Sequence, residues 1–370
     1  MIEIKKIYKK NVPELFENND FWNHEFLSIS KHRLLAHYNN PHLKNDDIVL
    51  LLAYLEDELV GYMGIYIDNI VIDNIEQKIG WLSTWWVHPK TKGSGIGREI
   101  LNTMYAENNG KIGISQFTPS AKRVYDKSGY FVNLKKNIGT KAVLKSNLSF
   151  LLTKLKPKLS FFKPALKLID NVANAVILVK HYFQKKQLYK NLQNINIEYL
   201  NAVDSETSNL INEFNSNHLS KKSDDFFNWL KQFNWVQEAP LIDFTQINKY
   251  EFSIYDESFN IYLMKIIKNN QPIGFLVLQK RNQTMKILFA FYNQNQDSKI
   301  ISDIIKLQAI KQNIQEIICY DSVICENFNN SKVFIYNRKK IKNSIISKAF
   351  NKDNFDQIIM NYGDGDCCFA

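Results

Sequence analysis

The chain has 370 residues, is 45% hydrophobic and carries a formal net charge of +10. That length allows two domains with ample cores, and the composition excludes a disordered chain. No run reaches the ~18 apolar residues that a membrane-spanning helix needs, and four scattered cysteines exclude a disulfide framework.

The positive charge suits an anionic partner. No RNA-binding motif is present, which points to anionic small molecules and away from nucleic acid. The start, Met1-Ile2-Glu3-Ile4-Lys5, reads as a strand and not as a leader. With so few cysteines, a reducing, cytoplasmic setting is expected.

Residues 1–8 read as a first strand. Residues 13–30 place aromatic and apolar side chains at helical spacing, so one or two helices are expected there. Residues 32–42, with His32, His37, Tyr38 and His42, read as a loop. The runs 48–55 and 59–67 are rich in β-branched and aromatic residues. Glu56-Asp57-Glu58 separates them, which is a hairpin signal. Residues 79–87 complete a three-strand meander.

Next comes His88-Pro89-Lys90-Thr91-Lys92-Gly93-Ser94-Gly95-Ile96-Gly97-Arg98, ahead of a helix expected over 98–106. Three glycines in five residues let the backbone approach a ligand closely or adopt positive φ. A helix that starts there aims unpaired N–H groups and a positive dipole end at the gap. Strand, glycine turn and helix together make an anion cradle. The spacing is not that of a P-loop, and Arg98 occupies the place where a dinucleotide fingerprint needs a small residue. Residues 111–117 read as the following strand, and Thr118-Pro119-Ser120-Ala121-Lys122-Arg123-Val124-Tyr125-Asp126-Lys127-Ser128-Gly129-Tyr130 as a helix with a glycine stop.

These motifs resemble the GNAT superfamily of N-acetyltransferases. Lys92-Gly93-Ser94-Gly95-Ile96-Gly97 is similar to the family's Q/R-x-x-G-x-G/A pyrophosphate loop, with Lys92 in place of Gln or Arg. Trp81–His88-Pro89 resembles the central strand ending in V-x-P. The helix resembles N-x-x-A-x-x-L-Y-x-x-x-G-F, with Thr118 where Asn is common and Ala121, Tyr125 and Gly129 in place. The likeness covers roughly residues 1–150. It implies direct transfer from acetyl-coenzyme A, or another acyl-coenzyme A, to an amine, with no metal. Lys92, Gly93, Ser94, Gly95, Ile96, Gly97 and Arg98 would hold the pyrophosphate, and pantetheine would pair with backbone near Trp85 and Val87. Tyr125 would protonate the departing thiolate. A base must also neutralise the amine. The central strand holds no carboxylate, so Ser83 would orient a water, and His88, Glu76, Asp73 and His37 are the candidate bases. His37 and Tyr38 fall where such folds line the acceptor pocket.

From residue 142 to about 194 the character changes. Lys154, Lys156, Lys158, Lys163, Lys167, Lys180, Lys185, Lys186 and Lys190 alternate with apolar residues, and from Ala165 these fall at helical spacing. Such a helix packs between domains or lies on a membrane. Residues 195–204 then begin a second unit. Helices follow at 206–218 and 226–236, strands at 260–267, 274–280 and 285–292, a helix at 298–311 and a strand at 316–320. This repeats the order of the first half, but Tyr292-Asn293-Gln294-Asn295-Gln296-Asp297 contains no glycine. In the tail Tyr362-Gly363-Asp364-Gly365-Asp366-Cys367-Cys368-Phe369-Ala370, the two carboxylates suit either acceptor binding or a solvated end; the apolar residues after them argue for docking.

The expected fold is α/β: two tandem GNAT-like mixed-sheet domains joined by a helical linker, the second without the coenzyme A loop. The expected division is a coenzyme A-binding domain over 1–145, a basic linker over 146–194 and a degenerate domain over 195–370 with an acceptor-binding or structural role. The arrangement resembles the N-acyltransferases that modify amino-sugar nucleotides for bacterial surface polysaccharides, such as the anthrose-type enzymes. The acceptor so implied is a dTDP- or UDP-linked amino sugar, with His37, Tyr38, Asp364 and Asp366 as its candidate ligands. A cell-wall aminoacyl or peptide transferase and a non-catalytic acyl-coenzyme A sensor are the alternatives. Homodimer formation is left open.

Overall fold

The computed structural model describes residues 2–24, 26–236, 258–352 and 354–369. The first half contains β1 (Ile2–Tyr8), α1 (Val12–Glu17), α2 (Asn19–Trp22), α3 (Lys31–Tyr38), β2 (Ile48–Leu55), β3 (Glu58–Ile72) and β4 (Ile75–Val87). It continues through α4 (Ile96–Glu107), β5 (Ile112–Ile114), α5 (Pro119–Ser128) and β6 (Phe131–Val143). A connector, α6 (Leu148–Leu155) and α7 (Lys163–Asn191), leads to β7 (Ile195–Leu200), α8 (Ser205–Phe214) and α9 (Asp224–Gln232). The second half ends with β8 (Phe259–Lys268), β9 (Gln271–Arg281), β10 (Thr284–Tyr292), α10 (Ser298–Lys311), β11 (Glu316–Cys319), α11 (Ser322–Asn329) and β12 (Tyr336–Ser347).

Among the described residues twelve strands form one mixed sheet, in the order β1-β2-β3-β4-β5-β12-β6-β11-β10-β9-β8-β7. The halves run in opposite directions along it and exchange their last strands. β12 pairs with β5 through Ile345 and Ile346, while β6 pairs with β11 from Val143 to Thr140. β6 and β12 also pair with each other from Tyr336↔Val143 to Ser347↔Phe131. Neither half could be removed without leaving the other's sheet unfinished.

Sequence patterning drew no attention to β6 or β12, and the reason is chemical. Lys135-Lys136-Asn137 and Lys339-Lys340-Ile341-Lys342-Asn343 have low strand propensity. Their strand state comes from pairing with each other, from Lys339↔Thr140 to Ser344↔Lys135. Elsewhere the meander falls where the β-branched runs placed it, and the Asn269-Asn270 corner closes the β8–β9 hairpin with both residues at positive φ.

One expectation is corrected. Residues 31–38 form a helix and not a loop. Ser30 accepts the Arg33 amide at 3.3 Å and starts it, and Leu34 and Ala36 are fully buried beneath it. The histidines disguised this helix, because they occupy inward positions that usually read as apolar. The tail also sits otherwise than as a solvated end: Asp364 to Cys368 are buried.

Candidate functional site

The sheet opens at its centre. β4 and β5 run parallel but pair only at Gly80↔Ile112 and Trp81↔Gly113. From Leu82 to Val87, six residues or ~20 Å of strand, the β5-facing edge of β4 has no strand partner among the described residues. A bulge produces this fork. Tyr62 pairs with Trp86 and Gly64 with Ser83, so two β4 residues oppose Met63 alone. Thr84 sits there at φ 44°, an unusual conformation for a β-branched residue. Ser83 and Thr84 are buried, and their hydroxyls take no protein partner among the described residues. Releasing that strain should stabilise the fold and spoil the fork. Thr84→Gly removes about 1–2 kcal/mol of left-handed strain and an unpartnered hydroxyl, against about 1 kcal/mol of added chain entropy. Unfolding stability should therefore rise by about 1 kcal/mol in a denaturant titration, while turnover falls.

The cradle lies at the mouth of the fork. Gly93 and Gly95 have φ of 91° and 87°, and a Cβ on either would meet nothing within 4 Å. Both positions therefore face open space. Gly95 is the left-handed N-cap of α4. Ser94 Oγ donates to the Thr91 carbonyl at 2.7 Å and steadies the turn. Gly97 packs on the Trp85 ring, where a Cβ would come within 3.3 Å. Trp85 and Val87 thus link the fork to the cradle, Ile96 is buried beneath it, and Lys92 and Arg98 are exposed around it. His88 has a positioning job: its Nδ1 accepts the Lys90 amide at 3.1 Å and caps the turn into the loop.

One face of the fork carries Tyr125. It is 3% exposed, with its ring 5.2 Å from Trp85 and 5.4 Å from Phe131. Burial raises its phenol well above the ordinary value, so it stays protonated at neutral pH.

The opposite face is formed by the tail. Gly365 fits against Ser115 and Trp81 at the root of the fork, where a Cβ would come within 2.7 Å of Ser115. The Gln279 carboxamide donates to the Cys368 carbonyl at 2.6 Å, and Phe369 stacks on Phe259 at 5.8 Å. Asp366 ion-pairs with Arg33 and lies 3.3 Å from His37 Nε2. Burial lowers the His37 pKa, partly offset by Asp366, which favours neutral imidazole. Asp364 is fully buried and its carboxyl is pushed up to about 7, chiefly by burial, although its Oδ2 accepts the Asn361 amide at 2.6 Å. Beside it is a second buried pair, Asp68 with Lys222 at 2.6 Å, and the Tyr66 hydroxyl, which has no hydrogen-bond partner among the described residues.

His37, Asp364 and Asp366 therefore share one centre, although more than 300 residues of sequence separate the first from the others. Tyr38 does not join them. It turns the other way, and Lys9 Nζ lies 5.5 Å above its ring. Asp73 and Glu76 occupy exposed positions at the β3–β4 hairpin, seven or more residues of strand from Ser83. Sequence reading missed Arg33, Asp68 and Lys222. The available signal was Asp68, a carboxylate inside the apolar run Ile65-Tyr66-Ile67-Asp68-Asn69-Ile70-Val71.

The corresponding loop of the second half is no cradle. Between β10 and α10, the Asn293 side chain accepts the Asn295 and Gln296 amides at 3.1 and 3.2 Å. Those N–H groups are already satisfied, and Asp297 adds negative charge at the helix start.

A forked parallel strand pair with a glycine cradle at its mouth can hold an anionic group at the cradle and an extended chain along the free strand edge. Residues 6–130 match the Acetyltransferase (GNAT) family. No curated protein matches the chain. Among solved structures it is similar to a putative acetyltransferase from Pyrococcus horikoshii, with 11% identity over 98% of this chain and 95% of that one at a TM-score of 0.48. It is also similar to a tandem GNAT protein from the clavulanic acid biosynthesis pathway, with 7% identity over 94% and 98% at 0.49. The N-myristoyltransferase of Saccharomyces cerevisiae, with bound myristoyl-coenzyme A, aligns at 9% identity over 93% and 82%, also at 0.49.

Proposed function

We propose that the chain transfers an acetyl or short hydroxyacyl group from acyl-coenzyme A to the amine of a nucleotide-linked amino sugar, by direct attack in a ternary complex. The observation that carries this reading is the fork, with the glycine cradle at its mouth and the buried carboxylates Asp364 and Asp366 near its root. In this reading, the amides of Gly93 to Gly97 hold the pyrophosphate, with Lys92 and Arg98 adding charge. Pantetheine lies along the free edge of β4 near Trp85 and Val87, and the backbone of the bulge polarises the thioester carbonyl.

The acceptor enters from the tail side. Asp364 takes the ammonium proton there, since a carboxyl near 7 is half ionised at working pH and matched to that task. Asp366, held by Arg33 and facing His37, binds the sugar. Ser83 orients a water, and Tyr125 returns a proton to the coenzyme A thiolate. The second half, with its self-satisfied loop, completes the acceptor side and binds no second coenzyme A. Tyr125→Phe should lower kcat about tenfold or more and leave KM for acyl-coenzyme A within about twofold, as expected for a group used in the transition state. Equal turnover would reduce Tyr125 to a packing residue.

The direct test is thiol release from acetyl-coenzyme A with a panel of dTDP- and UDP-linked amino sugars. Release with one nucleotide sugar, and none with its free sugar, supports the reading. Silence across the panel despite coenzyme A binding would remove the amino-sugar acceptor and favour a peptide acceptor or a sensor.

A further inference from the structure

The 29-residue helix α7 is apolar on two opposite faces. The inner face, with Ile177, His181 and Leu188 at helical spacing, packs toward the second half. There His181 Nε2 lies 3.2 Å from the Val333 carbonyl, and Asn191 donates to Asp303 at 3.0 Å. The outer face holds Leu168, Val172, Val176, Val179 and Phe183. Their spacings of four, four, three and four residues set them on one side. Each is 60–67% exposed. On α6 and the turn after it, Phe150, Leu155 and Phe161 are also 55–84% exposed. An isolated apolar side chain in water is ordinary, but a contiguous ridge marks an interaction surface.

Charge decides what covers it. Residues 148–194 contain nine lysines and a single acid, Asp170. That acid is buried and turned inward, where it accepts Ser146 Oγ at 2.7 Å and the Leu148 and Ser149 amides at 2.7 and 2.9 Å. The charges on the outward surface are therefore all lysines. Lys180 flanks the ridge, and Lys186 and Lys190 continue it. A second copy of the chain would set one lysine-rich face against another, which repels. No described helix is long and apolar enough to cross a membrane. A long helix with an apolar ridge beside lysines is built to lie in the plane of a bilayer, with its side chains among the acyl chains and its ammonium groups at the phosphates.

We propose that α6 and α7 form a docking element for an anionic lipid surface. The chain should cosediment with mixed phosphatidylcholine–phosphatidylglycerol vesicles at low salt, weakly with pure phosphatidylcholine, and less as salt rises. Val172→Glu with Val176→Glu should abolish binding. Lys180→Gln with Lys186→Gln should weaken it about 25-fold, at about fivefold per lysine. Circular dichroism and thiol release in solution should be unchanged in all four substitutions, showing that the fold is intact. No binding to the mixed vesicles, or equal binding by the glutamate variant, would overturn the proposal. So would a dimer that this variant dissociates in sedimentation velocity, which would assign the ridge to a second copy.

Discussion

Gly95→Asp is expected to weaken coenzyme A binding about a hundredfold or more, read by calorimetric titration. Three contributions act at this residue. Its φ of 87° is left-handed, which Asp tolerates better than most residues, so strain is the smaller part. A Cβ there would meet no protein atom within 4 Å, so the new side chain projects into the space that the cradle encloses. Its carboxylate then lies beside the pyrophosphate, where two like charges at 4–5 Å and an intermediate dielectric repel by about 3–4 kcal/mol. Charge therefore decides the outcome. Gly95→Ala separates the effects: it carries the strain and the methyl group, and should weaken binding about tenfold at most. Equal losses in both variants would make the cradle a steric device. Binding by the aspartate variant within about threefold of the parent would remove the anion site from Gly93 to Gly97 altogether.

Much of the glycine turn and of the Tyr125 helix was legible in the sequence, because both are local. A glycine turn between a strand and a helix, and Tyr125 with its glycine stop at Gly129, are each complete within about twelve residues. The strand exchange was not legible. Nothing in Lys339-Lys340-Ile341 says that it will pair with Ile138 on one side of the chain's midpoint while its neighbours Ile345 and Ile346 reach back to β5. Long-range pairing of weak strand formers leaves no local pattern. The bulge at Thr84 was also hidden, since threonine at positive φ is contrary to its propensity and is imposed by the surrounding sheet. The C-terminal segment lay between these cases. Gly363-Asp364-Gly365-Asp366 announced a close approach of backbone and carboxylate. Its destination against Trp81, Ser115 and Arg33 needed the fold.

Asp364→Asn is expected to lower kcat by about 10²–10⁴ and, at the same time, to stabilise the protein at alkaline pH. The two effects share one cause. Burial raises the folded carboxyl to about 7, against ~3.9 in an unfolded chain. Between those values the folded state keeps a proton that the unfolded state has released, so stability is full at low pH and is lost as pH rises through 7. The loss is on the order of 4 kcal/mol for a fully buried group. Asparagine is neutral throughout, and its carbonyl can still accept the Asn361 amide. The variant should therefore match the parent at pH 4, exceed it at pH 8 in a denaturant titration, and lose the limb near pH 7 in kcat/KM. A buried acid that served packing alone would give the stability gain with kcat unchanged. That pairing of results would take Asp364 out of the chemistry and leave the His37–Asp366 couple as the place to look for the base.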